Sequence, residues 1–560
     1  MNFDLPATGT EKSPAFLNAI ACQEWLGSVP QANAVQAQAM FLRQLNLLHR
    51  FALPPAERFA ILEILRGPVC DVQDDAAKRF AGKPLPFAPP EQAALESTLS
   101  LWHLLASGYL RCFDALCPED GGFTSVPALK AHHKRCAGNA AMAARTALLA
   151  QRTLSVFADW QVDLCRGQQL PDAIYWRMLH RIFFAAEACG IATSSVNDPL
   201  RHGGTTTSAL AAYAESSLLS TASPYELAAR HLAWVARWAR RWSSKLALLK
   251  APPEDIRNRA VPLWVDLESN HAAGYVPQSS GGSRWLETTE LRKSLLARIA
   301  LLEQGRAPAD LQLGDDVTQP AAGQLLQRVL QRWCKGGASR REVRYPASGG
   351  CRVVTGFEAV HSQLSDGQSF RSPSRDDATL RREREEFETF GDRSHRAADA
   401  GKEADSRVEH WEVMEDWSLL NESAGGLHLK RPIKEGARVG AGLLVAVKTR
   451  DSQRFTLGNV RWALREESDS LTAGMQLFPG EPRPVTIRIV ESGEQRGAWR
   501  QGFLLPAIEA LGEPASVVLP AGSFRLDRSI EVIVGAQTKG LKLRRVLDRG
   551  IDFERCDFHD

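Results

Sequence analysis

The chain lacks most of what would tie it to a membrane, an oxidising compartment or a common catalytic chemistry. No run of about eighteen apolar residues occurs, so no transmembrane helix is expected. Its first residues, MNFDLPATGTEKSPAF, contain no positive region followed by an apolar core, which predicts no secretory signal. Charge of one sign is not in excess. The 68 Lys plus Arg against 65 Asp plus Glu leave a formal net charge of +3 over 560 residues. That excludes a surface built throughout for DNA or an anionic membrane and leaves room only for a local basic patch. Cysteine is sparse: ten residues scattered from Cys22 to Cys556 with no regular framework. Reduced, buried thiols of a cytoplasmic protein are the expectation. Walker-loop, HExxH and GxSxG elements are absent, so neither an enzyme nor a cofactor is expected.

What is present reads as an ordinary soluble protein, 44% apolar and 24% charged. Its length predicts two or three domains. From the start to about residue 334 the text is helical. AVQAQAMFLRQLNLLHRF repeats apolar residues at helical spacing. PPAERFAILEILRG and PPEQAALESTLSLWHLLASGYLRCFDAL each open on prolines, as helices do. Near residue 340 the grammar changes to short β-branched or aromatic runs between Gly, Pro and charged turns: CRVVTGFEAV, GLLVAVK, FTLGNVRWAL, RPVTIRIV and RSIEVIV among them. A small antiparallel barrel or sandwich reads this way. The predicted fold class is α+β multidomain. An all-α region is expected over 1–334. An antiparallel β-barrel follows over 335–495, and 496–560 is a β extension or a degenerate second barrel. The stretch 363–410, including RSPSRDDATLRREREEFETF, is too charged to bury a core and is expected as a flexible insertion.

Several clusters admit a bland and a sharp reading. Cys112, Cys117, His132, His133 and Cys136 contain enough ligands for zinc, but their spacing lacks paired CxxC knuckles, and buried thiols beside a solvated helix face explain them as well. Trp234, Trp238 and Trp242 form one helical stripe among Arg230, Arg237, Arg240 and Arg241. Such a stripe could stack on nucleic acid; more simply it marks the buried face. GARVGAG leads into a strand-like run and so offers a phosphate no helix N-terminus. IEALGEP has no α/β barrel around it, and Asp266, Glu268 and His271 read as a turn.

One constellation stands apart. SRREVRYPASGG opens the β region with Arg340 and Arg344 four residues apart and Arg341 beside the first. Within the β region, WSLLNESAGGLHL places Asn421, Ser423, Gly425 and Gly426 in a polar turn between apolar runs. Asn and Gly suit a plain hairpin by themselves. The two motifs in this order resemble the PilZ domain, a small β-barrel receptor for cyclic di-GMP, over roughly residues 338–490. VGAGLLVAV, LGNVRW and TAGMQLF resemble that family's later strands.

The resemblance implies that Arg340, Arg341 and Arg344 grip guanine and phosphate. It further implies that Asn421 and Ser423 contact a guanine, and that Gly425 and Gly426 let the backbone turn close to the ligand. The chemistry fits: guanidinium forks match phosphate oxygens and the O6/N7 edge of guanine. A left-handed, positive-φ conformation is expected at Gly426. The reading is a cytoplasmic, non-enzymatic cyclic di-GMP effector with a protein partner for its helical region. It expects no membrane or metal, and its near-neutral charge argues against nucleic acid. Two alternatives are a helical scaffold or chaperone-like adaptor with a ligand-free barrel, and a nucleic-acid regulator using the Trp/Arg helix.

Overall fold

The computed structural model describes residues 9, 12–30, 32–117, 122–201, 206–254, 259–278, 280–337, 344–368, 370, 414–466, 469–490, 496–535 and 537–559. The chain divides into two compact units, residues 1–83 with 87–340 and residues 84–86 with 341–560.

The first unit is mainly helical. Its helices are α1 (Ala19–Leu26), α2 (Ala34–Arg50), α3 (Pro55–Ala77), α4 (Pro89–Asp114), α5 (Val126–Gly138) and α6 (Ala140–Arg166). They continue as α7 (Ala173–Ala188), α8 (Ala209–Thr221), α9 (Ala229–Trp242), α10 (Thr289–Glu303) and α11 (Ala321–Cys334). Local chemistry sets their starts. The Asn33 side chain accepts from the Gln36 amide at 3.2 Å to open α2. Asp172 accepts from the Tyr175 amide at 2.6 Å to open α7. The unit is not purely helical. It also contains the short pair β1 (Val196–Asn197) and β2 (Thr206–Thr207), and a sheet of β3 (Ala247–Leu249), β4 (Leu263–Asp266) and β5 (Ser283–Glu287). Strands this short carry too little alternation to stand out in a helical text.

The tryptophan stripe of α9 lies in the core. Trp234, Trp238 and Trp242 are at most 1% exposed. Trp238 Nε1 donates to the Leu313 carbonyl at 2.9 Å and Trp234 Nε1 to Asp316 at 2.7 Å. The surrounding arginines form ion pairs, Arg237 with Asp316 at 2.6 Å and Arg240 with Glu215 at 3.0 Å. Buried indoles with their faces against neighbours offer no platform to a base, so the nucleic-acid alternative loses the feature that motivated it. The candidate zinc ligands serve packing too. His132 Nε2 is 2.9 Å from Thr146 Oγ1, and burial pushes the Cys112 thiol up to about 12, which disfavours a thiolate. Asp266 Oδ1 accepts from the Glu268 amide and the Ser280 hydroxyl, so the Asp266–His271 stretch is a turn after β4.

Deeper in this unit, buried charges are matched. Arg66 grips Asp198 bidentately at 2.8 and 2.7 Å, and Asp198 also accepts from Gln151 at 2.8 Å. Burial alone raises the Asp198 carboxyl, but the Arg66 hydrogen bonds and the Arg66 and Arg152 charges outweigh it. They hold the group well below the usual carboxylate range.

The second unit is β. It comprises β6 (Tyr345–Pro346), β7 (Gly350–Thr355), α12 (Phe357–Leu364), β8 (Met414–Ser423), β9 (Gly426–Pro432), β10 (Leu444–Thr449), β11 (Thr456–Glu466) and β12 (Ser470–Leu477). Then come β13 (Arg483–Val490), β14 (Arg500–Leu505), β15 (Ser516–Pro520), β16 (Ser529–Val534), β17 (Gln537–Arg549) and β18 (Phe553–His559). Among the described residues the first group forms an antiparallel sheet in the order β6-β8-β7-β10-β11-β12-β9, and an added β8–β9 pairing closes it on itself. The second group is a closed barrel, β13-β14-β15-β18-β17-β16.

Three sequence readings shift here. CRVVTGFEAV is not one strand: Gly356, at φ +90°, turns the chain out of β7 into α12. The second barrel begins at Arg483, so a division at residue 496 falls between its first two strands. The charged insertion expected at 363–410 begins inside α12. Position 369 and positions 371–413 lie outside the described residues.

The two β layers share a core in which Val354, Leu444 and Leu457 meet Phe503, Val518 and Phe553. Asp552 pins them together, its carboxylate accepting from the amides of Leu444 at 2.9 Å and Phe357 at 3.1 Å.

Candidate ligand site on the first barrel

β8 and β9 form a hairpin whose last pairs are Ser423 with Gly426, Glu422 with Leu427, and Asn421 with His428. Only Ala424 and Gly425 lie between the strands, so NESAGG is a two-residue hairpin loop. A bulge between Leu419 and Asn421 shifts the register there, and bulges re-aim the side chains that follow.

β6 adds to the same end of β8, pairing Tyr345 with Glu422 and Pro346 with Asn421. As an edge strand it tolerates a proline, which has no N–H to pair. Arg344, exposed, precedes this pair and so lies at the level of Ser423. The structure therefore brings Arg344, Asn421, Ser423, Gly425 and Gly426 to one corner. Arg340 and Arg341 lie outside the described residues.

The polar groups of the corner are unequally satisfied. Ser423 Oγ donates to the Gly426 carbonyl at 3.4 Å, a long bond that shapes the turn. Asn421 Nδ2 donates to His428 Nδ1 at 3.1 Å. Asn421 Oδ1 is buried, with no hydrogen-bond partner among the described residues. A buried acceptor left unsatisfied costs about 1–3 kcal/mol, so it is a place to look for an external donor.

Gly426 corrects an expectation. It is not in the left-handed region. A Cβ built on it would stand 2.8 Å from the Met475 carbonyl oxygen on β12, so glycine is needed there for close approach between strands. The same squeeze recurs nearby. A Cβ at Gly458 would lie 2.3 Å from the Gln476 oxygen, and one at Gly474 would meet the Trp462 indole at 2.2 Å.

Sequence reasoning missed His428 and Trp462. The His428 ring packs edge-on against Trp462 at 5.1 Å between centroids. Behind them Lys430 pairs with Glu466 at 2.8 Å, and Ser470 donates to the same carboxylate at 3.0 Å. Burial, then the Arg344 charge, lowers the histidine's affinity for a proton, and Lys430 adds to this while Glu466 opposes it. The signal was available for one of the two. A two-residue loop pairs residues symmetrically about its centre, which sets His428 opposite Asn421. Trp462 reaches the corner from β11, a contact no local pattern encodes.

Comparison with known proteins covers nearly the whole chain. A family model described as the N-terminal domain of the cyclic-di-GMP receptor FimW matches residues 20–254. One described as that receptor's middle PilZ domain matches 265–484, and one for the FimW C-terminal β-barrel domain matches 485–560. The last boundary falls at β13, where the second barrel begins; the middle match starts earlier, ahead of α10. Among curated proteins, the cyclic-di-GMP receptor FimW of Pseudomonas aeruginosa is 22% identical over 578 aligned positions, covering 97% of this chain and 90% of that protein. No solved structure matches.

Proposed function

Since the chain belongs to the FimW family of cyclic-di-GMP receptors, with a PilZ domain in its middle part, we propose that it binds cyclic di-GMP at the Arg344–Asn421 corner and passes that state on through its helical unit. The observation that carries the site assignment is the orphaned acceptor, Asn421 Oδ1. Guanine presents two kinds of donor on its pairing edge, N1–H and the N2 amino group, and either would satisfy this oxygen. Arg344, exposed at the level of Ser423, is free to swing a guanidinium onto a phosphate or onto O6/N7 of the base. Arg340 and Arg341 add to this grip in the PilZ pattern. The Ser423 hydroxyl exchanges its long bond to Gly426 for one to the ligand, and Gly425 leaves room for it.

The proposed action is binding alone. Among the described residues the Ser423 hydroxyl is bonded to a backbone carbonyl and not to a base, and the reading is of an effector that releases its ligand unaltered, not an enzyme. No helix of the described residues is long and apolar enough to cross a membrane. A cytoplasmic location is part of the proposal. A protein partner for the helical unit completes the proposal.

Isothermal titration calorimetry with cyclic di-GMP tests it. Wild type should bind with measurable heat, Arg344→Ala should lose about tenfold or more in affinity, and Asn421→Ala should lose about three- to tenfold, as for one hydrogen bond. No heat at micromolar ligand, with the protein folded, would leave a barrel without its nucleotide.

A further inference from the structure

The contact between Asn421 and His428 carries a consequence beyond ligand identity. We propose that His428 is a positioning residue that sets which face of the Asn421 amide meets the ligand, so that nucleotide binding requires a neutral imidazole. This rests on the receptor reading above.

An asparagine amide presents a donor on one side and an acceptor on the other, and which is which depends on its neighbours. Here Nδ2 is spent on His428 Nδ1 at 3.1 Å. An NH₂ group only donates, so Nδ1 must be the unprotonated, accepting nitrogen of a neutral ring. That leaves Oδ1 as the buried, partnerless atom, an acceptor matched to the guanine donors. Protonating the ring puts N–H on both nitrogens. The amide must then turn over to offer Oδ1 to His428, and Nδ2 takes the outward position. A donor would then face the guanine N1–H and N2 amino donors, and the bond becomes a repulsion.

The surroundings hold the ring in its neutral form at neutral pH. Its rim is partly buried, with Trp462 of β11 edge-on to it. Arg344 from the β6 segment and Lys430 from its own strand disfavour a second positive charge. Glu466 of β11 favours one, but it is already engaged by Lys430 and Ser470. Burial, Arg344 and Lys430 together outweigh it, so the ring's pKa lies below that of an exposed histidine. The sign follows. Affinity is full at neutral pH and falls as pH drops through this lowered value. A purely electrostatic role would do the opposite, since an added positive charge attracts the nucleotide's phosphates.

The test is calorimetry with cyclic di-GMP on the full chain from about pH 5 to pH 8, the range in which a histidine titrates. Wild-type affinity should fall several-fold toward the acid end. His428→Gln, which keeps an acceptor but cannot titrate, should give an affinity that no longer changes with pH. His428→Lys, a permanent donor, should weaken binding by about tenfold at neutral pH in protein that is still folded, the cost of one charge-assisted mismatch. Cyclic di-inosine monophosphate, which lacks the N2 amino group, should show a smaller acid loss than cyclic di-GMP. A His428→Gln profile that matches wild type, or affinity that rises on acidification, overturns this inference and leaves the receptor reading standing. No binding by wild type at any pH overturns both.

Discussion

Gly426→Ala separates two reasons for a glycine in the NESAGG turn. If the position needed a left-handed backbone, Asn would be the best-tolerated replacement, because Asn visits that region several-fold more than other residues. The structure gives the other reason: a methyl would sit 2.8 Å from the Met475 carbonyl oxygen, which belongs to backbone paired within the sheet. The atom in the way is not the end of a flexible side chain. Relief requires β9 and β12 to part, along a ladder running from Gly426–Gln476 to Pro432–Ser470. Inserting a methyl into such a space typically costs about 1–3 kcal/mol. For a unit of this size that lowers the melting temperature of its transition by about 2–12 °C. The cost should scale with bulk: Ala least, Asn more, Val most. Differential scanning calorimetry of the three variants measures the order, and amide exchange on Leu427 and Met475 would report the parted ladder. Asn better tolerated than Ala would refute the close-approach argument.

Ser423→Ala should leave the melting temperature nearly unchanged, since its bond to the Gly426 carbonyl is long at 3.4 Å, while cyclic di-GMP affinity falls by about 0.5–1.5 kcal/mol. Equal affinity for the variant and wild type would confine Ser423 to shaping the turn. Asp198→Asn leaves Arg66 buried beside an uncharged partner and should destabilise the helical unit by about 3–5 kcal/mol in denaturant titration. A carboxyl whose folded pKa is depressed contributes stability that is present at neutral pH and lost as pH falls through that pKa. The wild-type helical unit should therefore weaken below about pH 4, and Asp198→Asn should flatten that acid limb. Trp238→Ala should cost the helical unit about 3–5 kcal/mol, as removal of a fully buried aromatic does. A folded Trp238→Ala variant of wild-type stability would contradict the core placement of the stripe.

Much of this architecture could be read in the chain because its signals are local. Helical spacing in the first 334 residues and alternating β-branched runs after 340 come from neighbours a few positions apart, and such patterns need no partner to be recognised. The tryptophan stripe of α9 could be read as core for the same reason. The polar turn could be read as a hairpin, because Asn, Ser and paired glycines each have a restricted conformational use.

Tertiary structure decided the rest, where the cause lies across strands. Gly426 is a glycine because of Met475, which is 49 positions away and adjacent only once β9 and β12 pair. Loop length alone sets His428 opposite Asn421, but Trp462 joins them only because β11 lies alongside. Arg344 comes to the corner because β6 zips onto the end of β8. The extent of the family resemblance suggested a break after residue 495, but strand pairing puts β13 in the second barrel, and Asp552 ties that barrel to Phe357 and Leu444 of the first. A sequence states which residues will form a strand. Hydrogen bonding between distant strands, which no local preference encodes, determines which strand lies beside it and which side chains therefore meet.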